Sequence, residues 1–322
     1  MLRKIICGIA MAGVSGIALV GATAASADTL RIVVPFSPGG AQDTLARWYA
    51  QHLEERTDMS VVVDNRPGAG GSLAADEVAQ ADPDGWTILQ ASGGAITIAP
   101  HLRELPYDPQ NDFVQIAMIA DTPMTLAVRA DSPFETLDDV IEAAREQPGE
   151  YAFASTGHTS VSHLTGTLLA EAADIELLHV PYQGAAPGLS DLLGGIVPLM
   201  VTSAASIDPM VAAGEARVLA VFSPIELPNL EGVPTVEEVL GTDGLNSPVW
   251  TGYLAPAGTP QERIDELSAA IQEICELPET RDRYMSLGAA QTCGDAAALA
   301  ETMAVDFERW GEIIQAAGIE PE

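Results

Sequence analysis

The stretch from Ile32 to Arg47 contains the residue types and spacing best suited to hold a ligand. It begins with a β-branched run at 32–34, typical of a buried parallel strand, and the sequence SPGG at 37–40 interrupts that run before helical spacing starts at Ala41. A strand that turns through glycines into a helix points backbone N–H groups and the positive end of the helix dipole at one place. The turn therefore predicts a site for a carboxylate or a phosphate, with an ordinary ligand-free βα turn as the alternative.

Other candidate chemistries find less support in the sequence. The turn lacks the GxGxxG spacing of a dinucleotide site and the GK[ST] ending of a P-loop. His158 and His163 are five residues apart, a poor spacing for two metal ligands on one helical face. Ser160 is close to His163, but the sequence has no GxSxG elbow, and helix capping explains the serine more simply. Neither a metal nor a cofactor is expected, and no catalytic residue is assigned.

The N-terminal residues predict export. Arg3 and Lys4 precede an apolar run from Ile5 to about Ala22, and the small residues at 25–27 complete the pattern of a secretory signal peptide. We expect a signal peptide at 1–27, cleavage after Ala27 and a periplasmic mature protein. An uncleaved membrane anchor is the alternative interpretation.

The charge balance excludes one broad class of partner. The 322 residues include 14 Lys and Arg against 46 Asp and Glu, which gives a formal net charge of −32. Such a surface repels nucleic acids and anionic lipids. It also repels an anionic solute at long range, so an anion site in this chain has to work through local dipoles. A saline habitat, in which salt screens the charges, is the simplest explanation of the composition.

Two cysteines, Cys275 and Cys293, follow the predicted leader. An even number of cysteines in an exported protein allows one disulfide, and two buried thiols are the alternative. The spacing of cysteines and histidines does not fit a zinc site.

The chain repeats the strand, turn and helix pattern several times. The runs at 32–34, 60–64 and 87–91 are each followed by a glycine-rich break, and a hydroxyl-rich turn at 155–163 follows another strand in the second half. In doubly wound α/β sheets, the loops at the carboxyl ends of the strands hold the ligand. We therefore expect two doubly wound α/β lobes around a central cleft. Helical core spacing is expected near the C-terminus at Ile264, Leu267, Ile271 and Ile274, and again at Met303, Phe307, Trp310 and Ile314.

The motifs resemble one known family over nearly the whole mature chain. They are VVPFSPGGAQDTLAR (33–47), VVVDNRPGAGG (61–71), DPDGWT (82–87), APHL (99–102), LPYDPQNDF (105–113), TSVSHL (159–164), HVPYQGAAPGLSDLLGG (179–195), LAPAGTP (254–260) and ERWGEIIQAAGI (308–319). This order is similar to that of the Bug-type periplasmic substrate-binding proteins, the receptors of tripartite tricarboxylate transporters. The resemblance implies a non-catalytic, monomeric receptor that closes like a Venus flytrap on a small carboxylated solute and delivers it to membrane permease subunits. The run at 249–254 is expected to be a strand that crosses back, so we expect one lobe at 28–123 plus 248–322 and a second lobe at 124–247.

The same resemblance assigns ligand-binding residues. One carboxylate is expected near Phe36, Ser37, Gly39, Gly40 and Gln42, and the second group near Thr156, Thr159, Ser160 and His163. The remaining candidates are Asp43, Ser92, Gly93, Thr202 and Trp250, of which Asp43 is expected to cap backbone N–H groups or to meet a ligand amine. The family usually has glycine in place of Thr159 and commonly has aspartate in place of Thr202. The missing aspartate makes an amine-bearing solute less favoured.

Two other functions stay open at this point. The same fold could serve a signalling partner instead of a transporter, and an exported hydrolase is the alternative from a different class.

The acidic composition leads to the first prediction. Because salt screens the repulsion between carboxylates, we expect the melting temperature to rise as ionic strength increases from low to molar values. Thermal unfolding followed by circular dichroism over a series of NaCl concentrations measures this. A melting temperature that stays constant or falls with added salt would show that repulsion between the carboxylates does not destabilise the fold.

Overall fold

The computed structural model describes residues 29–158, 160–225, 227–316 and 318–319. The predicted leader at 1–27 and Thr159 lie outside these residues. The strands are β1 (Thr29–Val34), β2 (Ser60–Asn65), β3 (Thr87–Ser92), β4 (Phe113–Thr122), β5 (Met124–Arg129), β6 (Ala152–Ser155), β7 (Leu178–Pro181), β8 (Leu199–Ser203), β9 (Ala216–Val221), β10 (Val249–Pro256) and β11 (Ala290–Gly294). The α-helices are α1 (Ala41–Arg56), α2 (Ser72–Ala79), α3 (Ala99–Leu102), α4 (Leu137–Glu146), α5 (Val161–Ala173), α6 (Ala185–Leu193), α7 (Ala204–Ala212), α8 (Val236–Leu240), α9 (Gln261–Cys275), α10 (Pro278–Ser286) and α11 (Ala296–Ala316). Within the described chain, no helix combines the length and the apolar character needed to cross a membrane.

The strands form two mixed sheets with helices packed on them, which confirms the predicted α/β fold. The first sheet has the order β11-β4-β10-β3-β1-β2. In it β1 runs parallel to β2 and β3, whereas β10 is antiparallel to β3 and β4. The second sheet has the order β7-β6-β8-β5-β9, with β6 parallel to β7 and β8 and with β5 antiparallel to its neighbours. The carboxyl ends of the parallel strands therefore meet at one edge of each sheet.

The chain crosses between the sheets at Pro123 and again before β10. Thr122 is the last residue of β4 in the first sheet, and Met124 is the first residue of β5 in the second. The return follows β9, since the next strand, β10, lies back in the first sheet. These two changes of sheet support the predicted lobe boundaries at 123/124 and 247/248, which we retain as a proposal.

An apolar cluster joins α5, which follows a strand of the second sheet, to α3 and α11, which pack with the first sheet. Leu164 of α5 forms one apolar cluster with Leu102 of α3 and with Trp310, Ile313 and Ile314 of α11, and each of these side chains is at most 8 % exposed. The core spacing predicted for α9 is confirmed, because all four isoleucine and leucine side chains are buried. In α11 the predicted Met303, Trp310 and Ile314 are buried, and Phe307 is only half-buried. The last helix thus packs on elements of both sheets.

Several elements differ from the sequence-based expectation. β8 begins at Leu199, although the apolar run in the sequence starts at Ile196, whose side chain is 70 % exposed. The pattern did not predict α7, which contains Pro209, or the short edge strand β11. Proline argues against a helix interior, and β11 pairs with β4 through an irregular register that leaves no clear apolar alternation.

A disulfide joins Cys275 to Cys293, which confirms the first of the two alternatives for these cysteines. Their Cα atoms are 5.7 Å apart and the two residues are 18 positions apart in sequence. The bridge ties the end of α9 to the edge strand β11. It therefore restrains the last part of the first sheet directly before α11.

Removing this bridge should destabilise the fold. For a loop of this size, the chain-entropy model predicts that the double substitution Cys275→Ser and Cys293→Ser lowers the free energy of unfolding by about 3 kcal/mol. Urea denaturation of the two proteins measures the difference. Thiol labelling of the denatured wild-type protein from the periplasm is the control, and two reactive thiols there would contradict the bridge.

Candidate functional site

The first predicted turn has the expected geometry. β1 ends at Val34, and α1 begins at Ala41 with Gly40 as an N-cap residue that lacks a side-chain capping hydrogen bond. Gly39 has φ of +88°, a conformation that glycine adopts without strain. Ser37, Gly39 and Gly40 are exposed, and Phe36 is 38 % exposed. The start of a 16-residue helix is thus presented at the edge of the first sheet.

The buried side chain of Asp43 fixes the shape of this turn. Its Oδ2 atom accepts hydrogen bonds from Gly39 N at 2.9 Å and from Arg47 Nε at 3.0 Å, and its Oδ1 accepts from Asn65 Nδ2 at 2.9 Å. Burial raises the pKa of the Asp43 carboxyl, but the hydrogen bonds from Arg47 and the turn outweigh it and hold that pKa below its ordinary value. The predicted capping of a backbone N–H by Asp43 is therefore present in the structure. With both oxygens occupied, Asp43 positions the turn.

Gln42 points into a buried polar network. Its Nε2 donates to Thr251 Oγ1 at 2.9 Å, and its Oε1 accepts from Gln90 Nε2 at 2.8 Å. Gln90 in turn accepts from the Tyr253 hydroxyl at 3.2 Å. Gln90, Thr251 and Tyr253 are at most 1 % exposed. The network fixes the Gln42 amide, and sequence reasoning missed it because the partners are 48 and 209 residues away.

A buried carboxylate, that of Asp306, lies near three further candidates beside this network: Ser92, Gly93 and Trp250. Ser92 pairs with Thr251 in the register of β3 and β10. Asp306, on α11, accepts from Trp250 Nε1 at 3.0 Å and from Thr97 Oγ1 at 2.6 Å. A Cβ at Gly93 would lie 3.1 Å from Asp306 Oδ2, so a larger residue would crowd the carboxylate.

Sequence reasoning also missed Asp306. The signal that could have found it is a single acidic residue beside the apolar stripe of Met303, Phe307 and Trp310. Arg309 Nη2 lies 3.6 Å from Asp306 Oδ1, and another Arg309 nitrogen donates to the carbonyl oxygen of Asn246. Burial lowers the pKa of the Arg309 guanidinium from its ordinary value. The two charges connect α11 to the segment that leads into β10.

The second predicted turn is braced by its own hydroxyl groups. Thr156 N donates to Ser162 Oγ at 2.8 Å, and Ser160 Oγ donates to Gly157 O at 2.7 Å. Ser160 Oγ also accepts from His163 N at 3.3 Å, which confirms the expected capping of α5. The turn therefore begins at the carboxyl end of β6 and opens a helix, as the first turn does.

Three imidazole rings lie behind the second turn. The rings of His163 and His179 stack with centroids 3.7 Å apart, and His158 is 5.2 Å from His163. His179 Nε2 is 2.7 Å from Ser155 Oγ, but Ser155 is completely buried, so this pair is closed to a substrate. Within the described ranges, no group of side chains has the arrangement of a metal site.

Thr202 lies at the same edge of the second sheet. It is the penultimate residue of β8, whose parallel register with β6 matches Phe153 to Leu199 and Ala154 to Met200. Continuing this register places Thr202 beside Thr156. Its backbone oxygen accepts from Thr125 Oγ1 at 2.9 Å, and its side chain is completely buried.

The candidate residues thus form two groups at two sheet edges. Phe36, Ser37, Gly39, Gly40, Gln42, Asp43, Ser92, Gly93 and Trp250 lie at the edge of the first sheet; Thr156, Ser160, His163 and Thr202 lie at the edge of the second. Two surface hollows lie elsewhere, one around His101 and Tyr107 and one around Thr97 and Met303, and neither is lined by a residue of either group.

The stacked imidazoles should make stability depend on pH. Burial lowers the pKa of His163 and of His179 to about 4, and the neighbouring imidazoles contribute in the same direction. Because the unfolded chain takes up these protons near pH 6.5 and the folded chain does not, stability is lost as the pH falls from about 6.5 to 4. Each imidazole should add about 1.4 kcal/mol per pH unit to the slope.

The substitution His179→Gln should reduce the dependence of the free energy of unfolding on pH by the contribution of one imidazole, about 1.4 kcal/mol per pH unit. Urea denaturation of both proteins at intervals from pH 7 to pH 4 measures it. An unchanged slope in the variant would contradict the assignment.

Comparison with known proteins identifies the family of the chain. The sequence profile of the tripartite tricarboxylate transporter family receptors matches residues 45–319. A UPF0065 protein from the tcbD–tcbE intergenic region of Pseudomonas sp. (strain P51) is 39 % identical over 282 residues, which cover 88 % of this chain and 84 % of that protein.

Two solved structures share both sequence and fold. Rpa4515 of R. palustris with adipate is 32 % identical, covers 91 % of this chain and 98 % of its own, and has a TM-score of 0.82. MatC of Rhodopseudomonas palustris with bound malate is 29 % identical, covers 89 % of this chain and 98 % of its own, and has a TM-score of 0.78. Since the profile spans most of the chain and the curated relative exceeds 30 % identity, the chain belongs to the family of tripartite tricarboxylate transporter receptors.

Proposed function

We propose that the mature chain is a periplasmic receptor that captures a small carboxylate in a cleft between its lobes and delivers it to membrane permease subunits. The observation that carries this proposal is the turn at 37–40, where the uncapped N-terminus of α1 is exposed at a sheet edge and fixed by Asp43. Backbone N–H groups at such a helix start bind a carboxylate without a cationic side chain.

Local donors suit a protein of this charge. The net charge of −32 repels an anion at a distance, so the attraction has to arise within the site. Arg47 is the first cation after the turn in sequence, and its guanidinium is bonded to both oxygens of Asp43. Its charge is therefore largely balanced there. The backbone N–H groups at the N-terminus of α1 remain as the donors that meet the ligand.

The ligands of the two solved relatives support a carboxylate. Adipate in Rpa4515 and malate in MatC each carry two carboxylate groups. By analogy, the first turn takes one carboxylate of a dicarboxylic solute, and the edge of the second sheet takes the other end. Export with cleavage after Ala27, a monomeric state and delivery to a tripartite tricarboxylate-type permease complete the proposal.

The proposal is tested on the mature protein purified from the periplasm. Native mass spectrometry identifies any acid that co-purifies, and isothermal titration calorimetry after its removal measures the affinity for adipate, malate and their homologues. A protein that binds none of these acids and carries none from the cell would contradict the proposed ligand class.

Gly39 provides the sharpest substitution at the first turn. Its φ of +88° strains any β-branched residue, although a Cβ there would meet no atom within 4 Å. We expect Gly39→Val to displace the turn and to lower the affinity for the acid by more than about ten-fold. Titration calorimetry measures the loss, and circular dichroism confirms folding.

Gly214 supplies the matched control. It has φ of +71°, a Cβ there also meets no atom within 4 Å, and it follows α7 at the far end of the second sheet. Gly214→Val should cost similar stability and leave the affinity unchanged. Equal loss of affinity in the two variants, or none in either, would place the ligand away from the first turn.

A further inference from the structure

A close backbone contact joins the two proposed lobes near the first crossing of the chain. Gly288 lies in the turn between α10 and β11, and a Cβ at this position would lie 2.6 Å from Ala205 Cα and 2.7 Å from Ala205 N. Both distances are far below the ordinary contact distance of about 3.5–4.0 Å between carbon atoms. The atoms that it would meet belong to the backbone at the start of α7, so they cannot rotate away as a flexible side chain does. The contact therefore has no room for a methyl group.

The turn at Gly288 is fixed to the first sheet. Ala289 is buried, and its N–H donates to Tyr284 O at 3.1 Å. The hydroxyl of Tyr284 lies 2.8 Å from that of Tyr49 on α1, and both side chains are completely buried. The disulfide between α9 and β11 closes the chain around α10 and this turn. We expect the turn to move with the first sheet as one body.

The other side of the contact is fixed at the crossing itself. Ala204, the first residue of α7, is 1 % exposed, and its N–H donates to Pro123 O at 2.8 Å. In the antiparallel register of β11 and β4, Ala290 pairs with Asp121. Continuing this register by two residues places Gly288 beside Pro123. The contact thus lies next to the point where the chain passes from the first sheet to the second.

The strand order places this contact behind the crossing strands. In the order β11-β4-β10-β3-β1-β2, the chain crosses between the sheets at β4 and at β10. β11 lies on one side of these two strands, and β1, which leads into the turn at 37–40, lies on the other. Parts on opposite sides of a hinge move in opposite directions when it bends. A rotation that brings the turn at 37–40 toward the second lobe therefore moves Gly288 away from α7, and the reverse rotation presses Gly288 against it.

We propose that Gly288 and the start of α7 form a stop behind the hinge that limits how far the cleft opens. This inference rests on the proposed function and adds a positioning residue to it. Gly288 lies away from the solute and acts through the angle between the lobes. Since the apparent affinity falls with the fraction of molecules in the binding-competent conformation, a limit on opening raises the affinity for the solute.

The substitution Gly288→Ala tests the stop directly. An added Cβ has to separate the turn from α7, so we expect the lobes to rotate toward closure. Small-angle X-ray scattering of the ligand-free mature protein should give a smaller radius of gyration than for the wild type. Titration calorimetry with adipate and with malate should show binding about three-fold tighter or more for the acid that the wild type prefers. Damage to the fold alone would weaken binding, so a gain separates a positioning role from a structural one.

The substitution Gly214→Ala is the matched control. Gly214 has φ of +71° and Gly288 has φ of +63°, so both variants place an alanine in a left-handed conformation and should lose similar stability. A Cβ at Gly214 meets no atom within 4 Å. This control should keep the radius of gyration and the affinity of the wild type.

The double substitution Cys275→Ser and Cys293→Ser tests the stop from the opposite direction. Without the disulfide the turn at Gly288 can yield to α7, so the ligand-free lobes should open further. We expect a larger radius of gyration and binding about three-fold weaker than in the wild type. This variant tests the stop whether or not Gly288→Ala folds, which circular dichroism establishes for each protein.

The outcomes separate the stop from the proposed function. Tighter binding and a smaller radius of gyration in Gly288→Ala, absent from Gly214→Ala, support the stop. Binding by Gly288→Ala that equals or falls below that of the wild type overturns it and leaves the receptor function intact. A cysteine variant with the radius of gyration and the affinity of the wild type overturns it as well. A wild-type protein that binds neither acid contradicts the proposed ligand class, and the radii of gyration then decide on the stop alone.

Discussion

A buried carboxylate at the crossing between the two sheets is the interaction on which the site depends. Asp306 is 9 % exposed and receives hydrogen bonds from Thr97 and from Trp250 at the start of the returning strand. Removal of one partner from a buried charge is costly, so these contacts fix α11 against that strand. The charge of Asp306 also adds to burial in raising the pKa of Asp121, beside the crossing, to about 6. These contacts thus join the last helix to the strand that borders the first group of candidate residues.

The chemistry of the site follows from how the chain uses its few cations. Arg31 and Arg66 are bonded to Asp64 and Glu77, so their charges are balanced on the surface of the first sheet. With the cations engaged elsewhere, helix starts supply the positive potential. Dipoles of this kind act over the first turn of a helix and fall off quickly beyond it. In the proposed site, specificity then depends on where the helices begin, and each helix start is placed by its sheet.

Local features of the sequence predicted the turns well. The glycines at 39–40 and the serine cap at Ser160 depend on neighbouring residues, and the structure shows both as expected. Features that depend on distant residues were not predicted. The network around Gln42 and the complete burial of Thr202 arise from strand order, which alternation and propensity do not encode. Similarly, β11 forms because it can pair with β4 at the end of the first sheet. Its five residues have little propensity of their own to form a strand.

The disulfide lies directly before the last helix, so the time at which it forms decides when that helix becomes covalently anchored. β11 is the outermost strand of the first sheet and pairs with β4 at three residues, and the helix that carries Asp306 and Arg309 follows it. Cysteines stay reduced in a cytosol and oxidise outside it. A chain that is still inside the cell therefore lacks the covalent restraint that anchors its last helix, and remains easier to unfold for passage through a membrane channel. In the exported receptor that we propose, oxidation after passage then adds the covalent restraint to the folded chain.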